Sequence, residues 1–185
     1  MNTVIGLFGM MCAGKDTVAD FFYQQGYTKI SISENVLKPV LKKLKLKPDR
    51  LNLIKLGKVL KSFKREVLAF LAHSLMNKGD GHNYIIPNIM TFQEARYLKE
   101  QEDIRFLLFK VSAKQRIRYE RNVQRMDDKD VSKLSTFKRL DQKNLSMTGL
   151  KELMHARLED AELVNNSSLK ELEAKLEKLV KRFNL

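Results

Sequence analysis

A doubly wound α/β fold with a five-stranded parallel sheet is predicted by three features of this 185-residue sequence. Short apolar runs alternate five times with longer helical stretches, as β–α–β units require. The run IRFLLFKV over 104–111 is almost continuously apolar, as expected of a strand covered on both faces. Behind the first run lies GLFGMMCAGKDT over 6–17, which places three of the chain's eight glycines within nine residues.

The elements follow in order. Residues 4–8 read as a buried strand, and Val18, Phe21 and Phe22 recur on one face of the helix behind it. YTKISI, 27–32, is a second short strand. Residues 36–77 read as helix, interrupted near Pro48 and again around Ser62. NYII, 83–86, is a third strand halted by Pro87, and FQEARYLKEQ, 92–101, is a helix. The apolar run 104–111 is the fourth strand, and 114–126 is a strongly charged helix. AELVNN, 161–166, is the fifth strand. Ser168 and Glu171 form a capping box for a last helix that buries Leu172, Leu176, Leu179, Val180 and Phe183. With no repeat or long linker, residues 1–185 read as one domain.

Composition narrows the classes. A hydrophobic fraction of 43% with 31% charged residues fits a globular protein, and one cysteine allows no internal disulfide. No apolar stretch reaches the roughly 18–20 residues of a membrane span, and no charged leader opens the chain. These features point to the cytoplasm and away from a membrane. His73, His82 and His155 are scattered, with no second ligand at zinc spacing. The net charge of +13 is concentrated: 38–65 holds eleven Lys/Arg against the single acid Asp49, a local +10. That segment is either a pair of solvated helical faces or a surface for an anion, whether a phosphorylated small molecule or nucleic acid. Only Phe63 supplies the interleaved aromatics usual for nucleic acid.

The glycine-rich turn is the specific signal. Gly9-x4-Gly14-Lys15 fits the phosphate-binding P-loop, and it lies between a strand and a helix, the context that confirms such a motif. The loop Gly9, Met11, Cys12, Ala13, Gly14, Lys15, Asp16 and Thr17 would turn backbone N–H groups inward around a nucleotide phosphate. Lys15 would meet the β- and γ-phosphates as a point charge. Asp16 stands where Ser or Thr usually holds Mg²⁺, and a carboxylate is a competent Mg²⁺ ligand. Cys12 reads as a small tolerated side chain, with a redox-sensitive thiolate as the alternative.

Several segments along almost the whole chain resemble, in order, the nucleoside-monophosphate-kinase-like P-loop proteins. These include dephospho-CoA-kinase-like archaeal proteins and viral deoxynucleotide monophosphate kinases. GKDTVADFF looks like the family's loop and first helix, and SISENVLK (31–38) is similar to its Ser-x-Ser-Asp-x-Leu segment. RLNLIKLGKVLK (50–61) is similar to the Arg-x3-Leu-x2-Leu-Gly-x2-Leu-Arg helix. VSAKQRIRYERNVQR (111–125) looks like the strand and arginine-rich helix leading to the lid. AELVNNSSLKELEAKLEKLV resembles the closing strand, turn and helix.

The resemblance implies a three-layer α/β/α P-loop NTPase with a helical monophosphate-binding insertion over 33–78 and a lid over 126–136. It implies an ATP- and Mg²⁺-dependent phosphotransferase acting on a nucleoside or deoxynucleoside monophosphate, or a related nucleotide such as dephospho-CoA. Arg50 would bind the acceptor phosphate, and Ser33 and Glu34 would line the acceptor pocket or, alternatively, cap the helix starting there. Arg121 would stack on the donor base, Arg125 would reach the transferring phosphate, and the protein would be a monomer or homodimer.

One stretch departs from the family pattern. Its third strand commonly runs Ile-Asp-Gly-Ile-Arg, whereas here Pro87 stands for the Asp and Met90 for the Arg. Losing that carboxylate removes an anchor for the metal's water shell, which Asp16 could offset. The alternative is a degenerate P-loop nucleotide-binding protein without efficient turnover, regulatory or binding nucleic acid through 38–65.

Overall fold

The computed structural model describes residues 1–77, 81–125 and 133–185, with the side chain of Arg50 outside that description. Five strands, β1 (Asn2–Phe8), β2 (Thr28–Lys29), β3 (Tyr84–Ile86), β4 (Ile104–Ser112) and β5 (Ala161–Val164), form one sheet in the order β2-β3-β1-β4-β5. Every pairing is parallel. β1 is central, with β3 on one side and β4 on the other. The chain therefore reverses its direction of travel across the sheet at β1, and the crevice at its carboxyl end is where such sheets bind ligands.

Alternation along β1 sends Val4 and Phe8 to one face and Ile5 and Leu7 to the other, all fully buried. The first pair joins a core with Ala69 of α4 (Val67–Ser74), Leu98 of α5 (Phe92–Lys99) and Leu153 of α8 (Leu150–Ala156). The second joins Phe22 of α1 (Lys15–Gln24) and Leu172 and Leu176 of α9 (Leu169–Phe183). The result is helix, sheet, helix. A smaller cluster of Val36, Leu37 and Leu68 packs with Leu53, Leu56 and Leu60 of α3 (Arg50–Phe63), tying the helical insertion to α4.

The five anticipated strands are present, but the second is much shorter than 27–32. After Lys29 the chain turns at Ser31 into a π-helical segment, Ile32–Leu37, running straight into α2 (Lys38–Lys43). The Ser31 hydroxyl accepts from Glu34 N–H (3.4 Å) and Asn35 Oδ1 accepts from Ser31 N–H (2.7 Å). These local side-chain bonds compete with strand pairing. The helical stretch breaks near Pro48, where Asp49 caps α3, and again after Phe63.

Two helices went unanticipated: α7 (Leu134–Met147) and α8, separated by Gly149 at φ 74°. The lid segment 126–136 falls largely outside the described residues, and 134–136 open α7. Ser168 caps α9 by accepting from Glu171 N–H (3.3 Å), while a fully reciprocal capping box sits at Thr91 and Glu94 ahead of α5. Among the described residues no helix is long and apolar enough to cross a membrane.

Candidate active site

The loop at the end of β1 requires its glycines. Gly9 has φ 143° and a Cβ there would strike the Val111 carbonyl; Gly14 has φ 103° and a Cβ would strike Asn165 Nδ2. Cys12 adopts a left-handed conformation at φ 58°. α1 opens at Lys15, so its N–H groups and dipole face the loop. Lys15 Nζ donates to the carbonyls of Gly9 (2.9 Å) and Met10 (3.1 Å), spanning the loop's mouth. Burial is the main cause that lowers its pKa, with neighbouring Asp16 opposing.

The loop is held from behind by charge and amides. α6 (Gln115–Gln124) contributes Arg118, buried in a two-bond pair with Asp141 of α7, both bonds 2.6 Å. Arg118 Nη1 also donates to the Met11 carbonyl (3.1 Å). Arg121 donates to the Ala13 carbonyl (3.3 Å) and to the Asn165 carbonyl (3.0 Å) and Oδ1 (3.1 Å). Asn165 Nδ2 closes the set on the Ala13 carbonyl (2.9 Å). These bonds occupy the Met11 and Ala13 carbonyls, while the Ala13 N–H donates to the Met10 carbonyl (3.3 Å).

Two clefts meet at the loop. The larger, about 790 Å³, runs from Gly9, Cys12, Lys15 and Asp16 past Ser31, Ser33 and Glu34 to Lys61, Pro87, Met90 and Glu94. The smaller, about 400 Å³, is bounded by Gly14, Thr17, Arg121, Asn165, Leu169 and Leu172. Arg125 lies on both, with Nη2 at 3.8 Å from the exposed Asp16 carboxylate.

The residues singled out from sequence divide accordingly. Gly9, Met11, Cys12, Lys15 and Asp16 line the larger cleft; Gly14, Thr17 and Arg121 line the smaller; Ala13 is buried beneath. Ser33 and Glu34 are in the larger cleft wall; Ser31 does the capping, and Glu34 pairs with Lys38 at 2.6 Å. Arg50 opens α3 behind its Asp49 cap, its side chain outside the described residues. Burial raises the Cys12 thiol pKa despite Arg125, Arg118 and Lys15 nearby, which disfavours a thiolate.

Sequence reasoning missed the floor of the large cleft. Glu94, only 1% exposed, accepts from Met90 N–H (2.8 Å) and Thr91 N–H (3.2 Å) through Oε2, while Oε1 lies 2.9 Å from Lys61 Nζ. The Thr-x-x-Glu capping pattern was legible, but nothing local indicated a lysine arriving from α3. Asn165 and Asp141 were missed for the same reason; Arg118, read from the sequence as a possible helper of Arg121 and Arg125 or as part of a solvated helix face, is buried on Asp141. Among the described residues no group of three His, Cys, Asp or Glu could hold a metal ion, and the carboxylates on the larger cleft are Asp16, Glu34 and Glu94.

No protein-family model and no curated protein sequence matches this chain. Solved structures do. The Acinetobacter baumannii shikimate kinase bound to shikimate aligns over 100% of this chain and 96% of its own, at TM-score 0.64 and 14% identity. TT1252 from Thermus thermophilus aligns over 98% and 97%, at TM-score 0.59 and 19% identity. A Bacteroides thetaiotaomicron shikimate kinase aligns over 99% of both chains, at TM-score 0.56 and 11% identity. The fold is that of P-loop kinases. At these identities the likeness fixes the architecture alone.

Proposed function

We propose that this chain transfers a phosphoryl group from ATP to a nucleoside or deoxynucleoside monophosphate, in a cytoplasmic setting. One observation carries the reading: the phosphate loop and Lys15 open onto a cleft of about 790 Å³ whose far wall presents another cation, Lys61. The loop's tight turn is one that glycine alone allows, because a Cβ at Gly9 or Gly14 would collide with Val111 or Asn165. Lys15 and the α1 N-terminus would hold the phosphates, Arg121 would border the donor base in the smaller cleft, and Arg125 would face the group in transit. In this reading Asp16 would hold Mg²⁺, which when bound neutralises charge on the phosphate oxygens. Donor and acceptor would be brought together by position and charge, which is most of what phosphoryl transfer needs from a protein.

Acceptor binding in this reading falls to Ser33, Glu34, Arg50 and Lys61. Glu94, fixed by two backbone amides, orients Lys61, whose remaining protons are free for an acceptor phosphate. Lys61→Met is expected to raise the acceptor KM by about 10- to 100-fold while leaving ATP affinity unchanged. Equal losses for both nucleotides would place Lys61 in the fold and not in the acceptor site.

The direct test is a panel of monophosphates with ATP and Mg²⁺, read as ADP release. Acceptor-dependent ADP release supports the reading; ATP binding with no release for any acceptor favours a nucleotide-binding module. The replacement of the family's Asp and Arg by Pro87 and Met90, both in the cleft wall, is what keeps that second reading in play. Asp16→Ser separates them further. It restores the usual loop residue but removes the loop's carboxylate, and should weaken Mg²⁺-dependent ATP affinity by about tenfold or more. Wild-type MgATP binding in this variant, measured against an EDTA control, would show that Asp16 does not serve the metal.

A further inference from the structure

The local charge of +10 over 38–65 has two populations in space. Cations at the cleft are paired, Lys38 with cleft-lining Glu34 (2.6 Å) and Lys61 with Glu94 (2.9 Å), and Lys64 pairs with Glu66 (3.4 Å). On the outside of the insertion, Lys42, Lys43, Lys45, Lys47, Lys55 and Lys58 are all exposed and make no side-chain ion pair or hydrogen bond among the described residues. A small acceptor in the cleft therefore accounts for the first group and leaves the second unexplained.

Aliphatic side chains are exposed among these lysines. Leu44 is 58% exposed, Leu46 50%, Leu51 60% and Ile54 48%. The connection 44–47 alternates Leu, Lys, Leu, Lys, and it is pinned to the first turn of α3, where Asn52 Nδ2 donates to the Lys47 carbonyl (2.8 Å). Leu51, Ile54, Lys55 and Lys58 stand at i, i+3, i+4 and i+7, one stripe along the outer side of α3. Leu53, Leu56 and Leu60 occupy the inner side. The loop and stripe form one continuous surface that is basic and aliphatic at once.

We propose that this surface docks on an anionic phospholipid bilayer, the lysines meeting headgroup phosphates and the leucines and isoleucine entering the boundary with the acyl chains. Unpaired positive charge selects a negative partner and repels a second copy of the same face. A nucleic acid would satisfy the lysines, but its apolar surfaces are base faces, which aromatic rings and arginines stack on. The surface's exposed apolar groups are aliphatic, and its unpaired cations are lysines. The association needs no spanning helix.

The experiment is vesicle flotation of the full chain. The probes are phosphatidylcholine vesicles, the same vesicles with about one-third phosphatidylglycerol, and a single-stranded oligonucleotide as competitor. The protein should float only with the anionic vesicles, and release at high salt. Lys55→Glu with Lys58→Glu should weaken flotation by about 30-fold or more. Leu51→Ser with Ile54→Ser should weaken it by about tenfold. Thermal melting of each variant checks the fold, and no step depends on turnover, so failure of the kinase reading would not affect the result. Three outcomes overturn the proposal: flotation with neither vesicle, equal flotation with both, or oligonucleotide binding that displaces the vesicles and is indifferent to the Leu51 and Ile54 changes.

Discussion

Replacing Lys15 by alanine should abolish detectable ATP binding, a loss of about 100-fold or more, and leave the protein folded. The ammonium spans the loop's mouth, held by the Gly9 and Met10 carbonyls at 2.9 and 3.1 Å. In the proposed reading it would offset triphosphate charge at short range from a partly buried position, where Coulomb attraction is stronger than in water. The same burial makes the interaction pH-dependent. Because desolvation lowers the Lys15 pKa, the cation is present below that pKa and lost as pH rises through it. Bound phosphate favours the charged form, so binding in the alkaline range takes up a proton. ATP affinity should accordingly fall at a lower alkaline pH than a solvated lysine would give, and Lys15→Arg should flatten the profile. Titration calorimetry across pH reads all three. A folded alanine variant with unchanged affinity would remove the phosphate-site assignment.

Asp141→Ala should produce the largest stability change, about 3–5 kcal/mol, with a fall of roughly 10 °C in melting temperature. Arg118 is 5% exposed and Asp141 3%, joined by two bonds of 2.6 Å. Truncating Asp141 leaves a buried guanidinium without its counter-charge; Arg118 stacks at 5.7 Å from the Phe137 ring, which cannot replace a carboxylate. The replacement Arg118→Met with Asp141→Leu tests what the pair is for. An apolar pair of similar volume should recover most of the stability, yet it cannot supply the 3.1 Å bond from Arg118 to the Met11 carbonyl. Recovered melting temperature with weakened ATP affinity would identify the pair as a brace for the phosphate loop. Recovery of both would reduce it to packing. Thermal denaturation and ATP titration on the two variants decide between them.

Much of the fold was legible because its signals are local. Apolar runs marked the five strands, and Gly9 and Gly14 marked a turn that only glycine can make against Val111 and Asn165. Heptad-like spacing of Leu172, Leu176 and Leu179 marked the buried side of α9. The shortening of the second strand was less legible, since 27–32 alternates acceptably for a strand and yields only to Ser31 and Asn35 bonding their own backbone. α7 and α8 escaped notice because their buried positions are few: Phe137 and Asp141 in one, Leu150 and Leu153 in the other. A buried aspartate in a polar helix reads as a solvated one until its arginine is found.

The sequence by itself determined the alternating α/β architecture, the glycine-dependent loop at the end of β1 and the lysine that opens the helix behind it. Each rests on neighbouring residues, where steric limits on φ and the periods of helix and strand act over a few positions. Only the tertiary structure decided what stands around that loop. It set Arg118 on Asp141, Asn165 against Ala13, and Lys61 on Glu94, pairs separated by 23, 152 and 33 positions. It also sorted the lysines of 38–65 into paired ones at the cleft and unpaired ones on the outer face. Charge–charge and hydrogen-bond partners are chosen by distance in space, and between remote segments that distance exists only once the sheet and its helices have packed.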